Sequence, residues 1–284
     1  MAQFTNQAQL SYNGSVINSN VAVGEILEVL SAAKTAVLGD YTRGDDVTYV
    51  ISAVNAGATP ITGLTVTDNL GAYTFDTQTL YPLTYVDGSV HLYINGVLAP
   101  APTVEAGPPL VFSGINLPAN SNLLLVYEVD VNRFAPLDVG ASIVNTATLS
   151  APSLLAPVTV SETVVPETAP ELTITKSIEP VPVTENGTLT YRFIIQNFGN
   201  TAAVATDNVT LTDAFDPILS GLTVTLDGTV LSEGTDYTYN ETTGEFATVQ
   251  SRITVPAATY EQDAETGAWI ITPGVSTLVI TGSI

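Results

Sequence analysis

The chain has 284 residues, no cysteine, one histidine, and 28 acidic against six basic residues, for a formal charge of −22. Such a set builds no disulfide, thiolate metal site or imidazole zinc cluster, and six scattered cations make no groove for nucleic acid. No apolar run approaches the roughly twenty residues of a membrane helix, and residues 1–20 have neither the cationic start nor the apolar stretch of a secretory signal.

The length suits two domains of ordinary size, each with its own core. Short runs rich in Val, Thr, Ile, Leu and Tyr are punctuated by Gly, Pro, Asn and Asp, which predicts an all-β chain. No cofactor is expected.

Residues 1–28 read as an extended segment. Phe4, Asn6, Ala8 and Leu10 alternate with Thr5, Gln7 and Gln9, as in a half-buried strand, and Val21 and Val23 resume the pattern after the polar turn Tyr12-Asn13-Gly14. The segment duplicates a later one. Thr5-Asn6-Gln7-Ala8-Gln9-Leu10-Ser11 answers to Val144-Asn145-Thr146-Ala147-Thr148-Leu149-Ser150, and Asn20-Val21-Ala22-Val23-Gly24-Glu25 answers to Pro157-Val158-Thr159-Val160-Ser161-Glu162.

The remainder divides into a repeat over 29–165, a proline-stiffened linker over 166–170, and a second repeat over 171–284. Leu30-Ser31-Ala32-Ala33-Lys34-Thr35 matches Leu172-Thr173-Ile174-Thr175-Lys176-Ser177, and Val47-Thr48-Tyr49 matches Leu189-Thr190-Tyr191. Asn55-Ala56-Gly57 matches Asn197-Phe198-Gly199, and Leu64-Thr65-Val66-Thr67-Asp68 matches Val209-Thr210-Leu211-Thr212-Asp213. Ile94-Asn95-Gly96 and Leu226-Asp227-Gly228 both read as hairpin turns. Each repeat is expected to be an immunoglobulin-like sandwich. Residues 118–129 match 273–284, so the second repeat is expected to lack the closing strands that the first carries. The stretch 234–268 reads as a hairpin plus an acidic surface loop.

The lysine strand Leu172-Thr173-Ile174-Thr175-Lys176, the Asn-x-Gly turn, the Val-Thr-Asp strand and the closing Asn-Thr-Ala-Thr-Leu resemble the bacterial conserved-repeat family, the domain of unknown function eleven. The resemblance implies a long surface protein. Two repeats without a signal sequence are similar to the spore-appendage subunits of spore-forming anaerobes, and so imply an extracellular cell- or spore-surface filament.

A sandwich without its last strands exposes an open core and unpaired backbone, a hazard that a strand donated by a neighbour removes. The front segment is the matching piece, and the second repeat of another copy is its expected acceptor. The linker to residue 30 is about six residues, at most ~20 Å, too short to fold back past a domain roughly 30 Å across. Repeated head-to-tail donation makes an open filament, with the chain as its own partner. Burying six or so apolar side chains stabilises such a joint by on the order of 10 kcal/mol as an upper value. The alternative is a disordered arm beside a smaller, complete sandwich.

The two lysines, Lys34 and Lys176, occupy equivalent positions and share the faces of Leu30 and Ala32, and of Leu172 and Ile174. Asp68, Asp213 and Asn145 likewise interrupt inward faces. Lys, Asp and Asn in one core form the set for a spontaneous amide cross-link. Burial leaves the lysine amine neutral and nucleophilic, and the acid polarises the amide carbonyl while ammonia leaves. The expected cross-links are Lys34–Asn145 within a chain, promoted by Asp68, and Lys176–Asn6 between chains, promoted by Asp213. A buried salt bridge with the asparagine hydrogen-bonded beside it is the noncovalent alternative.

His91 has no triad partner at motif spacing, and the acidic stretches Asp45-Asp46 and 261–265 match no calcium-loop pattern. No enzyme is expected beyond an autocatalytic cross-link. The expected function is a structural filament subunit, and the competing one is an adhesin or surface-layer fragment that binds a host or cell-wall ligand.

Overall fold

A computed structural model describes residues 2–284, nearly all of them in strands and connecting turns. Two compact units result. Among the described residues, one comprises 2–39, 44–131 and 144–164, and the other 40–43, 132–143 and 165–284. The units do not follow the repeat boundary: two short pieces of the first repeat's sequence pack with the second.

In the first unit, Leu30–Ala36 pairs with Asp46–Asn55, which pairs with Ser121–Val131. His91–Ile94 and Val97–Ala99 extend this sheet. The facing sheet runs Thr103–Glu105, Leu110–Leu117, Ile61–Asp68, Ile143–Ser150 and Val158–Pro166 in spatial order. Alternation does what the sequence predicts. Val47, Tyr49, Ile51 and Ala53 point inward from one sheet, and Leu64, Val66, Ala147 and Leu149 from the other, all buried. The chain is an all-β tandem of sandwiches.

The second unit has a sheet ordered Leu172–Glu179, Thr188–Asn197, Gly274–Ser283, Ser220–Leu226 and Thr229–Val230. Facing it is a short sheet of Thr212–Ala214, Glu245–Thr248 and Tyr237–Tyr239. Leu189, Tyr191, Phe193, Phe215, Phe246, Ile253 and Val255 fill the core between them. The hairpin expected in 234–268 is present, Tyr237–Tyr239 pairing with Glu245–Thr248, but the rest is not wholly a surface loop. The stretch supplies Tyr237, Phe246, Ile253 and Val255 to that core, because a second sheet this short needs large apolar side chains to reach across. Asn95-Gly96 and Asp227-Gly228 make the two hairpin turns with φ near +50° and +78°, the left-handed pair that a two-residue hairpin requires.

The front segment forms one long hairpin. Ala2–Asn6 pairs with Ala22–Ile26, and Gln9–Tyr12 with Ser15–Asn18, around the turn Asn13-Gly14. A bulge joins the halves: Gln7-Ala8 faces Ser19-Asn20-Val21, with Ser19 N donating to Ala8 O at 2.9 Å and Ala8 N to Ser19 Oγ at 2.9 Å. Phe4, Leu10, Tyr12, Val16, Ile17, Val21 and Val23 all remain exposed.

Candidate functional site

Lys34 sits mid-strand opposite Ile51, and Asp68 ends its strand between Leu110 and Ala147 of the two flanking strands. The facing sheets bring them together: Lys34 Nζ donates to Asp68 Oδ2 at 2.5 Å, and both side chains are entirely out of water. The Tyr127 hydroxyl donates to the same carboxylate oxygen, and Leu70 N donates to Oδ1 at 2.7 Å. The Lys34 amine lies 4.4 Å from the Tyr49 ring centroid and 5.9 Å from that of Tyr127, so two aromatic faces share its charge.

Asn145 is two residues from Ala147, the partner of Asp68, on the next strand. It is fully buried, and its Oδ1 accepts from Gly71 N at 3.3 Å. Its Nδ2 has no hydrogen-bond partner. It lies close enough to the Tyr49 hydroxyl to act on its ionisation, yet that hydroxyl too completes no bond of ordinary geometry. A buried amide donor without an acceptor is costly, and here it belongs to the group whose departure would form an amide. Burial holds the Lys34 amine below its usual range, although Asp68 and, more weakly, Glu162 act to raise it. The arrangement thus holds an amine that burial makes less basic than usual, a carboxyl group in contact with it, and a buried carboxamide on the strand beside that carboxyl group.

The same pair recurs in the second repeat with a different environment. Lys176 Nζ contacts Asp213 Oδ2 and lies 4.7 Å from the Tyr191 ring centroid. Here the Lys176 side chain is 42% exposed and that of Asp213 17%. Every residue of Leu172–Glu179 is exposed, including Leu172, Ile174 and Ile178. Thr212–Ala214 pairs on one side only, with Glu245–Ala247, whereas its counterpart Ile61–Asp68 is paired on both sides. An open groove bordered by Thr212, Asp213, Tyr239 and Phe246 adjoins that edge. Among the described residues, the backbone of the front hairpin pairs only with itself, so Asn6 stands exposed.

Sequence reasoning missed three members of the first site: Tyr49, Tyr127 and Glu162. Tyr49 carried a signal in its match to Tyr191. Tyr127 carried none, since Ile280 faces Tyr191 where Tyr127 faces Tyr49. His91 is exposed on its strand. Among the described residues no acid or imidazole cluster is arranged to hold a metal, and no helix is long and apolar enough to cross a membrane.

No family model matches the sequence, and no curated protein matches it closely. Solved structures show similarity at the level of strand arrangement. A variant of BcpA, the major pilin subunit of Bacillus cereus, is 12% identical over 96% of this chain and 73% of its own, with a TM-score of 0.40. The pilus backbone protein RrgB of Streptococcus pneumoniae is 12% identical over 86% of this chain and 55% of its own, at 0.36. The collagen adhesin CNA of S. aureus is 6% identical over 53% of this chain and 55% of its own, at 0.33. Identities and scores this low transfer neither activity nor partner.

Proposed function

We propose that the chain is a structural subunit that polymerises head to tail, residues 1–28 of one copy completing the second repeat of the next, in a cell- or spore-surface filament of the conserved-repeat type. One contrast carries this reading. The Lys34–Asp68 pair is sealed by Ile143–Ser150, while the equivalent Lys176–Asp213 pair lies open beside an unpaired strand edge, and the front segment repeats the sealing strand's sequence. Setting Asn6 where Asn145 lies would bring its carboxamide to Lys176. The amine attacks the carboxamide carbon, the carbon–nitrogen bond to the amide breaks, ammonia leaves, and an amide joins the two chains, with Asp213 relaying the proton. In the first repeat the same step would join Lys34 to Asn145 through Asp68.

Negative-stain microscopy of the purified chain tests the assembly. Filaments are expected, and removal of residues 1–28 should abolish them. A chain that stays monomeric, or filaments that survive the deletion, would overturn the reading. Boiling the filaments in denaturant should leave a covalent ladder that Asn6→Ala removes.

A further inference from the structure

The front hairpin is paired in a register that splits its apolar residues between two faces. Phe4 opposes Gly24 and Asn6 opposes Ala22, while Thr5 opposes Val23 and Gln3 opposes Glu25. Directly opposed residues share a face. Phe4 and Asn6 are therefore on one side, and Val23 and Glu25 on the other. The Phe4 ring lies so close over Gly24 that any Cβ there would fall 2.3 Å from it.

The segment that this hairpin duplicates is paired differently. In the first repeat, Thr146 Oγ1 meets Ser161 Oγ at 2.9 Å and Thr148 Oγ1 meets Thr159 Oγ1 at 3.4 Å. Asn145 then opposes Glu162, and Ile143 opposes Val164, both pairs turned to the core, where Ile143, Asn145 and Val164 are buried. Carried residue by residue onto the front segment, that pairing sets Asn6 opposite Glu25 and Phe4 opposite Leu27. All of Phe4, Asn6, Ala8, Leu10, Val21, Val23, Glu25 and Leu27 then lie on one face. The two registers differ by three residues, since Thr5 opposes Val23 in one and Ile26 in the other. An odd slip exchanges the faces of the moving strand.

We propose that the arm docks into a second copy as a whole hairpin, and that docking requires its return strand to slide three residues from the register of the free arm. This rests on the donor reading above. The free register is then a storage form: neither face is apolar throughout, and no complete donor surface meets the solvent. The docked register places Glu25 where Glu162 acts on Lys34, so each joint gains a second carboxylate near Lys176.

The chain lacks cysteine, so introduced pairs report cleanly. Opposed strand residues lie within disulfide reach. Thr5→Cys with Val23→Cys locks the free register, and Thr5→Cys with Ile26→Cys fits only the docked one. Oxidised T5C/V23C is expected to form no filaments and to regain them on reduction, and oxidised T5C/I26C to assemble. Filaments from oxidised T5C/V23C, or none from oxidised T5C/I26C while its reduced form assembles, would overturn the slide and leave the donor reading standing. If the unmodified chain forms no filaments, or forms them without residues 1–28, the donor reading and the slide fall together.

Discussion

Lys34 Nζ lies 2.5 Å from Asp68 Oδ2 with neither side chain exposed to water, in a core otherwise lined by Tyr49, Tyr127, Phe112 and Leu64. A pair so enclosed adds little net stability but is expensive to break, because removing one partner strands the other's charge. It also holds an amine and a carboxyl group in contact out of water, whereas the equivalent pair Lys176–Asp213 makes the same contact with its lysine partly exposed.

Asp68→Ala should destabilise the first repeat by about 3–5 kcal/mol, since it leaves Lys34 buried without a counter-charge and Tyr127 without its acceptor. The first repeat's urea transition measures this. Lys34→Met combined with Asp68→Leu should recover most of the loss. If the single and double variants unfold together, the pair is not enclosed as described.

Intact mass reports the intramolecular cross-link. The purified chain should be lighter than its sequence by one ammonia, whereas Lys34→Met and Asn145→Ala should each have their full sequence mass. A wild-type chain at full mass would leave the trio as a salt bridge with an asparagine beside it.

Stability against pH gives a second readout of the free amine. Burial lowers the Lys34 pKa in the folded state, so between that value and the ordinary lysine range the unfolded chain binds more protons. Stability must then rise with pH across that window. Burial, reinforced by Asp68, pushes the Tyr49 and Tyr127 phenols up, so above about pH 10 the unfolded chain loses protons that the folded one keeps, and stability falls. Asn145→Ala, whose amine stays free, should show the alkaline rise in its urea midpoint. Lys34→Met should lack the rise, and so should a chain whose Lys34 has become an amide.

Leu10 is 63% exposed in the free arm, so Leu10→Asp should change the unfolding midpoint by no more than about 0.5 kcal/mol. In the proposed joint Leu10 would take the place that the buried Leu149 holds in the first repeat, so the same substitution should abolish assembly. Sedimentation of the variant under conditions where the unmodified chain pellets as filaments checks both halves of this expectation.

Much of the site was legible in the residues. Lys34, in line with Leu30 and Ala32, marked an inward-facing cation, and Asp68, in line with Leu64 and Val66, marked its partner, whereas Lys176, read the same way, is 42% exposed. The strand period of two makes such inferences local. Tyr127 and Glu162 were not legible, because Tyr127 bonds Asp68 from two strands over in the sheet of Lys34 and Glu162 acts on Lys34 from the facing sheet, about 93 and 128 positions along the chain from Lys34, and no local pattern encodes that distance.

By itself the sequence determined the strands, the hairpin turns at Asn95-Gly96 and Asp227-Gly228, the repeats, and the copy of the closing strand at the front of the chain. These follow from alternation, turn stereochemistry and self-similarity, all properties of neighbouring residues. Only the tertiary structure decided which lysine is sealed and which is open, and in which register the front hairpin rests. Burial of Lys34 depends on a strand more than a hundred residues away closing over it, and the hairpin's register depends on a bulge at Gln7-Ala8 opposite Ser19-Asn20-Val21. The physical reason is the same for both: side-chain environment is set by the partner strand, and a strand's own residues specify its faces without specifying what covers them.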